Sequence, residues 1–238
     1  MNELPAVSEF GRRLASLGGV TGLLVAGSRA TGDYVPGVSD LDLVAVTDGP
    51  VSRPDLTALH RDLDAGIARG LKLGCVYVPV AAIPDRRAEH PTWTHGRLVH
   101  RILSGVTRAE LSRHGYAVFG RPPAELFPPV TAADIRAAAF AEVTGYWAWA
   151  ARRPWIWLSP EIADLGLTSM ARGRHAFRAG ELLTKSRAIE QAAAPRWLID
   201  QLAARRRGEP VVSPRRRTAW IAWRDARRTV AAISASGR

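Results

Sequence analysis

Two short groups of residues near the start of the 238-residue chain could do chemistry on a phosphate group. Gly27 and Ser28 follow the apolar run Val20–Ala26, where a tight turn can direct backbone N–H groups and a hydroxyl at a phosphate. Asp40 and Asp42 open the next apolar run, and because alternate residues of a strand share a face, their carboxylates converge. Such a pair can hold Mg²⁺ against substrate phosphates, and metal ions promote phosphoryl transfer.

Each group taken alone has an ordinary explanation. Gly-Ser is common in turns, and Asp-x-Asp is common in solvated loops. The whole arrangement is more specific, because eleven residues separate Ser28 from Asp40 and an apolar run adjoins each group. We therefore interpret Asp40 and Asp42 as catalytic and metal-binding residues. Gly27, Ser28 and Ser39, which precedes Asp40, are the candidate cofactor-binding residues in this part of the chain.

The elements around these residues predict a small α/β domain, since helical and strand-like patterns alternate along this part of the chain. The predicted helices cover residues 4–17, 55–69 and 108–114, the last with Thr107 and Glu110 as a capping box. The predicted strands cover residues 20–26, 41–46, 71–80 and 116–120. Residues 90–96 are predicted to form an ordered loop.

The chain beyond a proline-rich segment is predicted to be entirely helical. Prolines at positions 122, 123, 128 and 129 mark a linker, and no strand-like alternation follows it. The predicted helices begin near Thr131, Ser159, Lys185, Arg196 and Ser213. The sequence thus predicts an α/β domain with a small mixed sheet over 1–125 and an all-α helical bundle over 130–238.

The positive charge of the chain is concentrated in this second part. Residues 131–238 hold 19 Lys and Arg against 9 Asp and Glu, whereas residues 1–130 hold 14 against 13. This distribution favours an anionic partner, although a bias toward Arg, typical of a GC-rich genome, explains it equally well. One cysteine and no run of 18 apolar residues argue against a disulfide, a zinc cluster or a membrane span. We expect a cytoplasmic protein.

The segment from Gly27 to Val46 resembles the nucleotidyltransferase superfamily of DNA polymerase β, which carries Gly-Ser, a loop and Asp-x-Asp on a strand. The resemblance implies Mg²⁺-dependent transfer of a nucleoside monophosphate with release of pyrophosphate. Residues 165–185 resemble the helical domain of aminoglycoside adenylyltransferases, with Arg172, Gly180 and Lys185 at the family spacing. That resemblance implies that Arg172 and Lys185 bind the phosphates of ATP, in a cleft between two domains.

One departure from the family pattern affects the mechanism. The resembling enzymes carry a third carboxylate, the catalytic base, on a later apolar strand, and Gly74 stands at that position here. Either a metal-bound hydroxyl loses its proton without a dedicated base, or another group replaces the base, or the chain binds nucleotide without catalysis. The candidate replacements are His90, His95, Glu142, Glu161 and Asp164.

The expected reaction is transfer of AMP from ATP to a hydroxyl of a small molecule, possible acceptors including an aminoglycoside-like antibiotic. The basic second half argues against a polycationic acceptor, which favours an acidic pocket. Two alternatives stay open: a catalytically impaired nucleotide- or ligand-binding homologue, and an antitoxin-like enzyme that modifies a protein. A nucleic acid is a less favoured partner, because no separate template-binding module is evident.

Overall fold

The computed structural model describes residues 3–237, and the chain divides into two compact units between Val130 and Thr131. The first unit is built on a mixed six-stranded sheet in the order β5-β4-β3-β2-β1-β6. Only the central neighbours β2 and β3 are parallel among the pairs described. The strands are β1 (Val20–Val25), β2 (Leu41–Thr47), β3 (Leu73–Pro79), β4 (Glu89–Thr94), β5 (Arg97–Ile102) and β6 (Tyr116–Phe119).

Helices cover both faces of this sheet. The helices of the first unit are α1 (Pro5–Ala15), α2 (Gly27–Ala30), α3 (Arg53–Ala65), α4 (Gly105–His114) and α5 (Pro123–Leu126). Phe10 of α1 and Leu63 of α3 belong to the same core cluster as Leu43 of β2. Val44 of β2 and Leu111 of α4 belong to a second cluster. Because neighbouring residues of a strand face opposite ways, β2 is buried on both faces, as its near-continuous apolar run requires.

The expectation of an ordered loop over residues 90–96 is wrong. The segment contributes to the hairpin of β4 and β5, in which Thr94 pairs with Arg97. The two turn residues, His95 and Gly96, have φ values of 51° and 71°. A two-residue turn of this kind is usually signalled by Asn-Gly or Asp-Gly, and Pro91 weakens the strand pattern. Because the turn sequence is His-Gly, the sequence alone does not predict this hairpin.

The predicted start of the helix over 108–114 is also wrong. The structure begins α4 at Gly105, and the Ser104 hydroxyl accepts a hydrogen bond from the Thr107 backbone N–H at 3.0 Å. Ser104 is therefore the capping residue, and Thr107 lies inside the first turn. Ser and Thr are both favoured at this position, so the sequence alone does not distinguish the two starts.

All regular secondary structure in the described part of the second unit is helical. Its α-helices are α6 (Ala132–Glu142), α7 (Ala148–Ala151), α8 (Pro160–Ala179), α9 (Lys185–Glu190), α10 (Arg196–Arg206) and α11 (Arg215–Ser236). A π-helical turn, Val143–Trp147, joins α6 to α7. Leu167 of α8 and Ala222 of α11 are fully buried in its core cluster. None of the helices that the structure describes is long and apolar enough to cross a membrane.

Candidate active site

Asp40 and Asp42 lie where β2 begins, on one side of the strand. Both residues are exposed, whereas Leu41 and Leu43, which alternate with them, are fully or almost fully buried. The hydrophobic effect keeps the leucines in the core cluster, and the alternation of the strand then turns both carboxylates the opposite way. The paired carboxylates expected from the sequence thus share one exposed end of the sheet.

The turn after β1 brings Gly27 against Asp42. The strands β1 and β2 are antiparallel, with Val25 beside Leu43, and the Ala26 N–H donates a hydrogen bond to the Asp42 carbonyl oxygen at 2.8 Å. Gly27 has a φ of 59°, and a β carbon built on it would lie 2.8 Å from Cγ of Asp42. Both the backbone conformation and the close approach therefore require glycine.

Ser28 occupies the second position of the short helix α2. Its hydroxyl oxygen is buried and has no hydrogen-bond partner among the residues the structure describes. An unpartnered buried hydroxyl costs about 1–3 kcal/mol, so a ligand oxygen that bonded to it would recover this cost. The next residue anchors the helix, since the Arg29 guanidinium lies 3.8 Å from the Glu3 carboxylate and over the Tyr34 ring.

Ser39 has a different environment from Ser28. It is only 4% exposed, and its hydroxyl accepts a hydrogen bond from the Val35 N–H at 3.0 Å. The Ser39 N–H in turn donates to the Val35 carbonyl oxygen at 2.9 Å. These bonds close the loop before Asp40, so Ser39 shapes the approach to the carboxylates from inside the protein.

The strand next to Asp42 carries no acid at the matching position. Gly74 of β3 pairs with Asp42 in parallel register, and it is half-buried. A β carbon on Gly74 would lie 3.6 Å from the Leu41 carbonyl oxygen and 3.7 Å from that of Trp93, which are ordinary contacts. Gly74 also lies outside the left-handed region of φ. The position therefore accommodates a β carbon, and it carries no acid.

Sequence reasoning did not assign Lys72 to this end of the sheet. Its ammonium nitrogen lies 4.0 Å from an oxygen of the Asp40 carboxylate and 3.5 Å from the Val38 carbonyl oxygen. The sequence offered one signal for Lys72, which is that lysine is rare in this chain. Lys72 and Lys185 are the only lysines among 33 basic residues.

The structure separates the two histidines proposed as replacements for the missing acid. His90 is 2% exposed, and burial lowers its pKa, with the charge of Arg108 as a smaller cause. His95 is exposed in the hairpin turn, and its Nδ1 lies 2.8 Å from the Thr94 hydroxyl. The register of β3 and β4 places Thr94 beside Gly74. His95 therefore lies at the same end of the sheet as the carboxylates, and His90 lies farther along β4.

Two of the three acids proposed from the helical unit have partners there. The Asp164 carboxylate accepts hydrogen bonds from Arg205 at 2.6 and 2.9 Å, and burial raises its pKa. The Glu161 carboxylate accepts a hydrogen bond from the Ser159 hydroxyl at 2.6 Å at the start of α8. The third acid, Glu142, is exposed at the end of α6. Asp164 and Glu161 thus have structural roles within the second unit.

Arg172 and Lys185 lie in the second unit on either side of a sharp helix end. Gly180 ends α8 with a φ of 71°, and a β carbon there would lie 3.0 Å from the Ala132 carbonyl oxygen. Arg172 donates a hydrogen bond from Nε to the Leu183 carbonyl oxygen at 2.9 Å. Lys185 is half-buried and begins α9. Arg172 thus lies in α8, Gly180 ends that helix, and Lys185 follows the segment to which Arg172 is hydrogen-bonded.

The first-unit residues fit a magnesium ion carried by a nucleotide. Mg²⁺ is commonly bound through one or two carboxylates together with substrate phosphates, and Asp40 and Asp42 supply the carboxylates. Within residues 3–237 no group of three or more His, Cys, Asp or Glu could hold a metal ion. Among these described residues the carboxylate pair therefore has no third acid beside it, and a nucleotide would have to complete the coordination of a metal ion bound there.

Comparison with known proteins agrees with this geometry. Residues 7–104, which include the Asp pair and Gly74, match the family model described as a nucleotidyltransferase domain. The fold is similar to that of spectinomycin adenyltransferase AAD(9) from Enterococcus faecialis, solved with ATP and spectinomycin. That match has a TM-score of 0.71 and 15% sequence identity, and it covers 94% of this chain and 96% of the other. No curated protein matches the chain.

Proposed function

We propose that this chain, a nucleotidyltransferase resembling the aminoglycoside adenylyltransferases, transfers AMP from ATP to a hydroxyl group of a small molecule. In this reaction the acceptor oxygen bonds to the α phosphorus and the bond from phosphorus to pyrophosphate breaks. The hydroxyl proton leaves the acceptor as the new bond forms and passes to solvent water. The observation that carries the proposal is the contact of Gly27 with Asp42 beside a buried, unpartnered Ser28 hydroxyl.

Each candidate site residue of the first unit has a role in this proposal. Asp40 and Asp42 hold Mg²⁺, which when bound supplies positive charge to the phosphates and to the reacting oxygens. The Ser28 hydroxyl and the backbone at Gly27 bind phosphate oxygens. Ser39 does not touch the nucleotide in this proposal, because it is only 4% exposed and its hydroxyl bonds to Val35 within the loop. It keeps the loop before Asp40 in place.

Arg172 and Lys185 are the proposed phosphate ligands of the second unit. Arg presents a planar fork of donors to phosphate oxygens, and Lys presents a compact charge. The hydrogen bond from Nε of Arg172 to the Leu183 carbonyl oxygen holds this side chain beside the segment that leads to Lys185. The proposal rests on the family spacing and on this chemistry.

The acceptor is proposed to be a small molecule with a free hydroxyl and without several positive charges. The structural neighbour was solved with spectinomycin, so this diamine is tested beside neutral acceptors to decide how much charge the site accepts. Residues 131–238 carry 19 Lys and Arg against 9 Asp and Glu, and this excess disfavours a polycation by charge repulsion. A cytoplasmic location, where ATP is available, stays a prediction.

The experiment that tests the function is release of pyrophosphate from each of the four ribonucleoside triphosphates with Mg²⁺. The acceptors are spectinomycin, streptomycin and a panel of neutral and anionic polyols. We expect release with ATP only when an acceptor is present, together with an acceptor whose mass rises by one adenylate. ATP-dependent release at the same rate from the Asp42→Asn chain would contradict the assignment of the site.

One observation favours a second function, nucleotide binding without transfer. Gly74 leaves no acid beside Asp42 on β3, and Lys72 lies near Asp40. A binding protein would take up ATP with Mg²⁺ in calorimetry and release no pyrophosphate with any acceptor. Transfer to any acceptor, however slow, would exclude this alternative.

A further inference from the structure

Lys72 places a positive charge where the carboxylates of the site would bind cations. Its ammonium nitrogen lies 4.0 Å from Oδ1 of Asp40, although both side chains are at least half exposed. The parallel pairing of Leu41 with Leu73 brings the two residues together, because Asp40 and Lys72 directly precede these leucines. The backbone of residue 72 is thus held beside Asp40, within reach of the Lys72 side chain.

The charges at this end of the sheet limit how many cations the site can hold. Asp40 and Asp42 contribute two negative charges, Gly74 contributes none, and Lys72 contributes one positive charge. A second divalent cation would meet the ammonium group at short range without a third carboxylate to offset the repulsion. One divalent cation with two carboxylates and nucleotide phosphates is an ordinary arrangement for Mg²⁺.

We propose that the site takes a single divalent cation with its nucleotide, and that the Lys72 ammonium supplies the second positive charge to the phosphates. The inference rests on the proposed function. In this proposal the missing acid at Gly74 and the lysine beside Asp40 have the same consequence, which is that one positive side chain takes the place of a second metal ion. Lysine serves this purpose well because its ammonium group is a compact charge on a flexible chain.

The test counts Mn²⁺ ions bound to the whole chain in the presence of a non-hydrolysable ATP analogue, from the paramagnetic resonance of free Mn²⁺. We expect about one bound ion per chain for the wild type. Lys72→Met should tighten Mn²⁺ binding about fivefold, because it removes a charge about 4 Å from a ligand. The same variant should weaken metal-free binding of the analogue about tenfold, because a charge-assisted hydrogen bond is lost.

Two further variants separate charge from structure. Lys72→Arg keeps the charge, so it should bind one ion with the wild-type affinities. Arg69→Met removes an exposed positive charge three residues before Lys72, and it should change neither the number of ions nor the affinities. The double variant Lys72→Met with Gly74→Asp should bind a second Mn²⁺.

Two results would overturn the inference, and they differ. Two ions on the wild type, with no effect of Lys72→Met, would exclude the role of Lys72 and leave the proposed function intact. An analogue and Mn²⁺ that bind with the same affinities to the wild type and to Asp42→Asn would exclude the proposed site, and the inference with it.

Discussion

The Asp42 carboxylate lies so close to Gly27 that any side chain at residue 27 would collide with it. A β carbon at 27 would come within 2.8 Å of Cγ and 2.9 Å of Cβ of Asp42. The turn that presents Ser28 and the strand that presents the Asp42 carboxylate are therefore positioned against each other. A change at either residue moves the other.

This relationship predicts the effect of Gly27→Ala. The left-handed backbone alone should cost about 1–2 kcal/mol of unfolding free energy, and displacement of Asp42 should abolish Mn²⁺ binding in the presence of nucleotide. Gly32→Ala is the matched control, because Gly32 has a φ of 75° with no atom within 4 Å of an added β carbon. The control should lose similar stability and keep metal binding. Equal loss of metal binding in both variants would contradict the contact argument.

Replacing Asp42 by Asn keeps the size of the side chain and removes one negative charge. We expect Mg²⁺-dependent pyrophosphate release to fall by more than about 100-fold, because metal catalysis supplies several kcal/mol. The free energy of unfolding should change by less than about 0.5 kcal/mol, since the side chain is exposed. Asp48→Asn, at another exposed aspartate beyond the end of β2, should leave turnover unchanged.

Lys185→Ala should weaken ATP binding by about 1.5–3 kcal/mol, the scale of a hydrogen bond to a charged group. Adenosine, which lacks phosphates, should bind as it does to the wild type, and calorimetry with both ligands measures the difference. Arg187→Ala removes a neighbouring exposed cation of α9 and serves as the control. Equal weakening of ATP and adenosine would mean that Lys185 acts through the structure of α9.

Gly74→Glu restores an acid beside Asp42. The added β carbon makes only ordinary contacts, so the backbone need not move to accept it, and circular dichroism checks that the variant folds. If the proton of the acceptor leaves without a base, wild-type activity should rise with pH, and the variant should be about 10²–10⁴-fold faster near neutrality with a flatter profile. Initial pyrophosphate release against pH compares the two chains. A wild type that is already fast near pH 7 and is slowed by the glutamate would show that another group takes the proton.

A buried histidine predicts how stability depends on pH. His60 is fully buried, bonds through Nε2 to the Tyr77 hydroxyl at 2.7 Å and stacks on Trp93, and burial lowers its pKa to about 3. The unfolded chain, with a histidine pKa near 6.5, binds this proton first as pH falls. His60 should therefore cost stability progressively below about pH 6.5, by about 2 kcal/mol at pH 5.

The measurement is urea unfolding of the wild type and of His60→Gln between pH 5 and pH 7. Glutamine can still bond to Tyr77 but does not titrate in this range, so the histidine contribution to the pH slope should disappear. An identical slope in both chains would assign the acid sensitivity to other groups.

The fold class was predictable because its signals are local. Apolar runs such as the one that begins at Leu41, and a helix start at Thr131 where Asp134 completes a capping box, depend on residues close in sequence. The mixed sheet with its helical second part is confirmed by the structure and by its similarity to a solved adenyltransferase. The β4–β5 hairpin was missed because its turn places His95, and not the usual Asn or Asp before Gly, at a positive φ.

The candidate site was predictable only in part, for a related reason. Asp40 and Asp42 are two residues apart, so strand geometry alone places them together. Lys72 reaches Asp40 only because β3 pairs in parallel with β2, and no local pattern reports such a pairing. The roles of Gly27, Ser28, Arg172 and Lys185 in binding a nucleotide stay predictions.

The order in which the sheet can form follows from the two kinds of pairing around Asp42. The pairing of Val25 with Leu43 closes a short segment of chain, whereas that of Asp42 with Gly74 spans the whole crossover through α3. Contacts between residues distant in sequence form late, because loop closure costs entropy before they can stabilise the chain. The Gly-Ser turn and the carboxylate pair can thus assemble as an early folding unit, and Lys72 joins them only when the parallel strand docks.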